Sequence, residues 1–262
     1  QPERVLVVGM GVSGRAVCQV LLKRGARVVG TDLAGRERFG TALENLESMG
    51  CVLRLGTHLM EDFLGADQIV VSPGVPLDLA PLKAASMAGV EIVGELEWAW
   101  RQTATPVVAV TGTNGKTTTT SLLGQMLKAA GQRVFVGGNI GTPLSQWILE
   151  GGEADVLVLE VSSFQLDTAD TFRPRVAVLL NITEDHLDRY DSFEAYIDSV
   201  VEFPLISISG MHRCAECSTL RLSWPRRWPL RSWVPSLGTC SAPSTTTAAC
   251  PTGWNGSGAG EA

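Results

Sequence analysis

Two short glycine-rich loops, each set between an apolar run and a helix-spaced one, constrain this chain more than any other feature. The first is Gly9-Met10-Gly11-Val12-Ser13-Gly14, directly after the apolar residues 4–8. The second is Thr111-Gly112-Thr113-Asn114-Gly115-Lys116-Thr117, at the end of the run VVAV. An apolar strand that runs through a glycine turn into a helix opens a β-α-β unit, and such units build parallel sheets with helices on both faces. A chain that starts this unit twice is expected to hold two of them in succession.

The periodicity between the loops agrees. Val12, Ala16, Val20 and Leu21 recur at helical spacing until Gly25, and a strand over 27–31 follows, ending at Asp32. Strands are expected at Val52–Leu55 and Gln68–Val71, a helix at 81–88, and a connecting helix at 95–101. The pattern restarts at Val107–Thr111 with a helix over 117–130, stopped by Gly131, and strands at 133–136, 156–161 and 176–181. No internal repeat of fixed period is present. The expected architecture is α/β: an N-terminal Rossmann-like parallel-sheet domain over 1–97, a truncated P-loop-type ATP-binding α/β domain over 98–200, and an irregular, disordered tail over 201–262.

Composition marks the tail. Lysine occurs at 23, 83, 116 and 128 and nowhere later. Trp224, Trp228, Trp233 and Trp254 crowd the last part of the chain with Cys214, Cys217, Cys240 and Cys250, and Pro recurs at 225, 229, 235, 243 and 251. Repeated proline breaks helices and central strands. A lysine-free segment rich in Arg, Pro, Ser, Trp, Cys, Gly and Ala is what a shifted reading frame in a G/C-rich gene would encode, near codon 200. The cysteines do not form the paired C-x-x-C pattern of a zinc module.

The net charge of −6 over 262 residues argues against a general nucleic-acid or anionic-membrane binder. No apolar run is long enough to span a bilayer. The first residues read as a polar start followed by a strand, not a secretion signal, and six cysteines in a chain of this length do not suggest a disulfide scaffold. A cytoplasmic monomer without nucleic-acid partner or membrane insertion is expected.

The loops suggest two nucleotide-type sites. In the first, glycines let the backbone approach a diphosphate at a helix N-terminus, and Asp32 at the end of the next strand can bond a ribose or base. A packing turn without ligand is the alternative. In the second, Gly112 and Gly115 expose N–H groups to phosphate oxygens, Lys116 brings charge to the β- and γ-phosphates, and Thr117 offers a hydroxyl to Mg²⁺. The alternative there is a Thr/Gly-rich cap with a solvated lysine. A plain dehydrogenase has no use for the second loop, which implies phosphoryl transfer from ATP. Glu160 ends the apolar strand VLVLE, badly placed for core packing and well placed for Mg²⁺. His186, in an acidic run, reads by itself as a surface ion pair or as a functional group. Asn139, in Gly-Gly-Asn, fits an ordinary turn as well as a site.

Taken in order, GTNGKTTT, GGNIG, EVSSFQL and NITEDHLDRY resemble the Mur ligases of peptidoglycan synthesis, over residues 4–199. The combination of GMGVSG, the turn Ser72–Val75, GGNIG and the SSFQL form is similar to the branch that adds D-glutamate to UDP-N-acetylmuramoyl-L-alanine. The resemblance implies ATP binding by Gly112, Thr113, Asn114, Gly115, Lys116, Thr117 and Thr118, and UDP-sugar binding by Val12, Ser13, Asp32, Ser72, Pro73 and Gly74. It implies Mg²⁺ ligation by Thr117, Glu160 and His186, with Lys116, Asn139 and His186 as catalytic residues. The implied reaction activates the alanyl carboxylate as an acyl phosphate, which the D-glutamate amine then attacks.

The resemblance breaks after Ser199. The family continues with a Tyr-x-x-x-Lys helix, whose carbamylated lysine organises the second Mg²⁺, and then with a third domain that brings D-glutamate. Here Tyr196 is in place and Val200 occupies the lysine position. The chain as written is therefore expected to be inactive. The competing readings are a non-catalytic nucleotide or UDP-sugar-binding fragment and an NAD-dependent enzyme.

Overall fold

In a computed structural model, residues 3–185 and 189–201 are described. The first sheet is built from β1 (Arg4–Val8), α1 (Val12–Lys23), β2 (Arg27–Asp32), α2 (Glu44–Ser48), β3 (Val52–Leu55), α3 (Met60–Leu64), β4 (Gln68–Val71), α4 (Ala80–Met87) and β5 (Glu91–Gly94). Its strand order is β3-β2-β1-β4-β5, every pair parallel. The connecting helix α5 (Glu95–Trp100) leads to the second sheet: β6 (Val107–Thr111), α6 (Lys116–Ala129), β7 (Val134–Gly138), α7 (Leu144–Leu149), β8 (Val156–Glu160), α8 (Ser163–Leu166) and β9 (Val176–Leu179), followed by α9 (Phe193–Val201). Its order is β7-β8-β6-β9, also parallel. The fold class is the α/β arrangement that the two loops imply.

The first strand shows why. Val5, Leu6, Val7 and Val8 are all buried, as a strand covered on both faces requires. Their alternation feeds two cores. Leu6 and Val8 pack with Phe63, Ile69, Val71 and Leu82 on one face. Val5 and Val7 turn to the other, where α1 contributes Val17, Cys18 and Leu21. That second core continues into the second sheet and its flanking segments, with Leu157 and Leu159 of β8, Leu144 of α7 and Phe172 of the loop before β9. Helix α7 packs on both α1 and α5, so the two sheets share buried surface. Each fully buried Leu or Val in such a core contributes about 1.5–3 kcal/mol.

In each sheet the strand order reverses at the first strand. β1 lies between β2 and β4, and β6 between β8 and β9. Ligands of open α/β sheets bind beyond the strand carboxyl ends at such reversals, and there both glycine loops lie.

Several details differ from the sequence reading. β7 runs on through Gly137 and Gly138, which pair with Leu159 and Glu160, although glycine weakens a strand by itself. β9 stops at Leu179, two residues short of Asn181. The strand β5 and the helix α7 carry too little pattern in four and six residues to be visible alone. Cys18 and Cys51 are buried and free. No helix among the described residues is long and apolar enough to cross a membrane. The expectations for the tail, its cysteines and His186 lie outside the described residues.

Candidate functional site

The first loop is fixed from three directions. Gly9 N–H donates to Thr31 O at 2.8 Å, Ser72 Oγ donates to Gly9 O at 2.9 Å, and Met10 N–H donates to Asp32 Oδ2 at 2.7 Å. The other oxygen of Asp32 accepts from Ala34 N–H at 2.8 Å. Asp32 therefore ties the glycine loop to the turn after β2, and each carboxylate oxygen keeps lone-pair capacity for a ligand. Gly14 is required by space: a Cβ there would lie 1.8 Å from Gly9 O. Gly11 caps α1 with no side-chain hydrogen bond, leaving the helix N-terminus with donors to offer an anion.

Val12, Ser13, Asp32, Ser72, Pro73 and Gly74 all line one cleft of about 580 Å³. Asn139 and Gly141 form part of its wall from the second sheet. The structure thus gathers the residues expected for the UDP-sugar and adds the GGNIG loop to them. Sequence reasoning missed Arg38, His58 and Gln165, which also line it. Gln165 could have been found, since it belongs to the SSFQL segment. Arg38, at the end of a short 3₁₀ helix, and His58, in the loop after β3, have no strand-end motif to mark them. His58 approaches Thr31 Oγ1 at 2.9 Å, and burial lowers its pKa against the opposing pull of Asp32, which favours a neutral imidazole.

The second loop wraps the N-terminus of α6. Gly112 and Gly115 have φ of 131° and 86°, in the region that favours glycine. A Cβ on Gly112 would also meet Asn181 O at 2.9 Å. The loop is held by the segment after β9: Asn114 N–H donates to Asn181 Oδ1 and Asn181 Nδ2 donates to Asn114 O, both at 2.9 Å. Thr113 Oγ1 accepts from Thr183 N–H at 3.0 Å and lies 3.1 Å from Tyr196 Oη. Lys116 Nζ donates to Gly112 O at 2.7 Å and Thr113 O at 2.9 Å. Among the described residues no carboxylate pairs with this lysine, so its charge is available to an anion.

Glu160 joins the two regions. Glu160 is 2% exposed, yet among the described residues its side chain accepts from neutral groups alone: Thr117 Oγ1 at 2.8 Å and Asn139 Nδ2 at 2.9 Å. A buried carboxylate without a cation carries a large desolvation cost, and a divalent ion beside Thr117 would supply the missing charge. Directly after it, Ser162 and Gln165 form a capping box that opens α8, which accounts for the SSFQL spelling. Phe164 stacks on Tyr190 at 6.0 Å and lies under the Arg189 guanidinium at 4.2 Å. Arg189 and Tyr190 are thereby anchored to α8.

A model of the Mur ligase MurD-like N-terminal domain matches residues 3–94, and one of the Mur ligase middle domain matches residues 110–204. The chain is 58% identical over 197 residues to a UDP-N-acetylmuramoylalanine–D-glutamate ligase of Desulfosudis oleivorans, covering 75% of this chain and 43% of that protein. It is 51% identical over 200 residues to the same-named ligase of Geobacter metallireducens, covering 76% and 44%. A solved UDP-N-acetylmuramate–alanine ligase of Thermotoga maritima aligns at 26% identity and a TM-score of 0.45, over 75% of this chain and 46% of that one. The chain spans less than half the length of the curated relatives it matches.

Proposed function

The chain belongs to the Mur ligase family, and from that premise we propose that its two loops serve the ATP-dependent addition of D-glutamate to UDP-N-acetylmuramoyl-L-alanine. The observation that carries this reading is the junction Thr117–Glu160–Asn139. One buried carboxylate bonds a P-loop hydroxyl through one oxygen and a residue of the first cleft through the other. A site that only bound a nucleotide sugar, or only split ATP, would not need the two to meet. The naming of the relatives as D-glutamate ligases supports the choice of amino acid.

In this reading residues 1–97 hold the UDP end and residues 98–200 the ATP end. Val12, Ser13, Asp32 and the turn Ser72-Pro73-Gly74 position the nucleotide sugar, so that its alanyl carboxylate points towards Asn139. The segment Gly112–Thr118 holds ATP with Lys116 at the β- and γ-phosphates. Transfer of the γ-phosphoryl to the alanyl carboxylate releases ADP and leaves an acyl phosphate. Attack by the D-glutamate amine then forms the amide, with loss of phosphate and a proton. Thr117, Glu160 and His186 would hold Mg²⁺, which neutralises the crowded oxygens when bound. The precursor is soluble and nucleotide-linked, which supports a cytoplasmic site of action.

A second reading is favoured by one residue. Val200 is buried where the family resemblance calls for the carbamylated lysine, so this chain binds both nucleotides without turning over. Calorimetric titration tests the common part. UDP-N-acetylmuramoyl-L-alanine and Mg·ATP should each bind, NAD should not, and Lys116→Ala should weaken ATP alone. Tight NAD binding with no response to the UDP-sugar would overturn the assignment.

A further inference from the structure

Helix α5 carries two acidic residues that its role as a connector does not explain. Glu95 and Glu97 are 2% and 0% exposed. Acidic side chains are almost never buried this fully unless their oxygens are satisfied. Glu97 is matched by Arg101 Nε at 2.7 Å and by the N–H groups of Thr171 and Phe172 at 3.1 and 2.8 Å. Among the described residues, Glu95 has no cation as a hydrogen-bond partner. It accepts from Ser145 N–H at 2.7 Å, in the first turn of α7. Ser145, itself fully buried, places its Oγ 3.3 Å from Ser13 O, in the first glycine loop.

Three segments distant in sequence therefore meet at Ser145. Helix α7 begins just after the GGNIG loop that carries Asn139, while Ser13 opens α1 on the wall of the same cleft. The cleft is lined from both sheets, and Ser145, just behind its Asn139 wall, bonds Ser13 on the opposite wall. Neighbouring Gly94 adds a bond from its N–H to Thr168 O at 3.2 Å, so the connector is fastened to the second sheet at its first residues.

We propose that Glu95 is a positioning residue: by holding Ser145 against Ser13 it sets the separation between the diphosphate loop and the Asn139 loop, and so the length of nucleotide sugar the cleft accepts. The inference rests on the functional reading above. A ligand that touches only the first loop is indifferent to that separation. One that reaches both loops gains from the second contact only if the spacing is right, as for any two-point attachment.

The test compares UDP with UDP-N-acetylmuramoyl-L-alanine on the 262-residue chain, by calorimetry. In Ser145→Ala, UDP affinity should stay within about twofold, while the longer ligand weakens by about three- to tenfold, the effect of one positioning hydrogen bond. Glu95→Ala should do the same or more, and Glu95→Gln, which keeps an oxygen for the Ser145 N–H, should bind like the parent. Thermal unfolding of each variant shows whether it is folded, and Ser145→Ala keeps the test alive if Glu95→Ala is not. Equal weakening of both ligands would reduce Ser145 and Glu95 to structural residues and overturn the proposal, as would no change in either. A parent chain that binds UDP and the longer ligand equally well also overturns it. A parent that binds neither overturns the functional reading first, and the inference with it.

Discussion

Thr117 Oγ1 donates a hydrogen bond to Glu160 Oε2 across 2.8 Å, from the first turn of α6 to the carboxyl end of β8. The two residues are brought together because β6 and β8 are neighbours in the sheet, with Val110 in register with Glu160. The residue that ends β8 is thus placed beside the loop that follows β6. Asn139 reaches the same carboxylate from the loop after β7, on the other side of β8. Strand adjacency alone therefore converts three motifs that lie far apart in sequence into one polar cluster.

Glu160→Gln separates a metal ligand from a structural acceptor. A glutamine there must aim its amide N–H₂ at one of two groups that now donate, and the Asn139 amide cannot reverse its role without turning over. If Glu160 serves Mg²⁺, the enhancement of ATP binding by Mg²⁺ should fall by about tenfold or more, the scale of one charge-assisted contact of 1.5–3 kcal/mol. Binding of ATP in EDTA should barely change. A variant whose melting temperature drops but whose Mg²⁺ enhancement is intact would show that Glu160 only holds the loops together.

Gly14 and Gly11 lie in the same loop but should respond very differently to alanine. At Gly14 the new methyl would sit 1.8 Å from Gly9 O, and backbone must move. Overpacking of this kind costs about 1–3 kcal/mol and occasionally more. At Gly11 nothing lies within 4 Å and φ is −63°, so the change should cost no more than about 0.5 kcal/mol. Chemical denaturation of both variants gives the comparison. Equal midpoints would mean that the loop is free to relax, contrary to its three anchoring bonds.

The strands were legible where both faces are buried. Val5–Val8 and Ile69–Val71 are consecutive apolar residues, all buried, and β1 and β4 have the limits 4–8 and 68–71 that the sequence suggests. The P-loop was legible because its chemistry is local to one turn. What sequence could not show was the meeting of distant groups. In sequence, helix α5 reads as a connector, and apart from Arg101, four residues after Glu97, nothing near Glu95 or Glu97 accounts for their burial. Their partners Ser145 and Thr171 are 50 and 74 residues away. Asn139 was ambiguous for the same reason, until Glu160 appeared at its side-chain nitrogen.

Glu95 gives a pH dependence with a definite sign. Burial raises its pKa above the usual carboxylate value, with the Ser145 bonds opposing. Between the ordinary and the raised value the folded chain therefore binds more protons than the unfolded one, and the stability contributed by this group falls as pH rises through that window. Glu95→Gln removes the ionisation. The difference in unfolding free energy, variant minus parent, should therefore rise with pH above the ordinary carboxylate range and level off beyond the raised value. Denaturation series across that range check it. A difference that is flat with pH would mean that Glu95 keeps its ordinary affinity for the proton despite its burial.

The strongest expectation about the chain itself concerns Val200. The helix α9 is present, with Tyr196 buried and its hydroxyl beside Thr113, so the framework that the family resemblance assigns to the metal-organising lysine is built. Its position, however, holds an apolar side chain only 1% exposed. Valine has no atom that can carry a carbamate or approach a cation, so one preorganised charge is missing where the phosphoryl group would move. Removal of a single such group lowers rates by about 10²–10³. ATP and UDP-sugar contacts are local to their loops and should survive. Purified soluble chain, given UDP-N-acetylmuramoyl-L-alanine, D-glutamate, ATP and Mg²⁺, should therefore bind its ligands and release ADP far more slowly than about one per second, the lower end of ordinary enzyme turnover. Turnover near that value, abolished by Lys116→Ala, would show that another group supplies the charge that Val200 lacks.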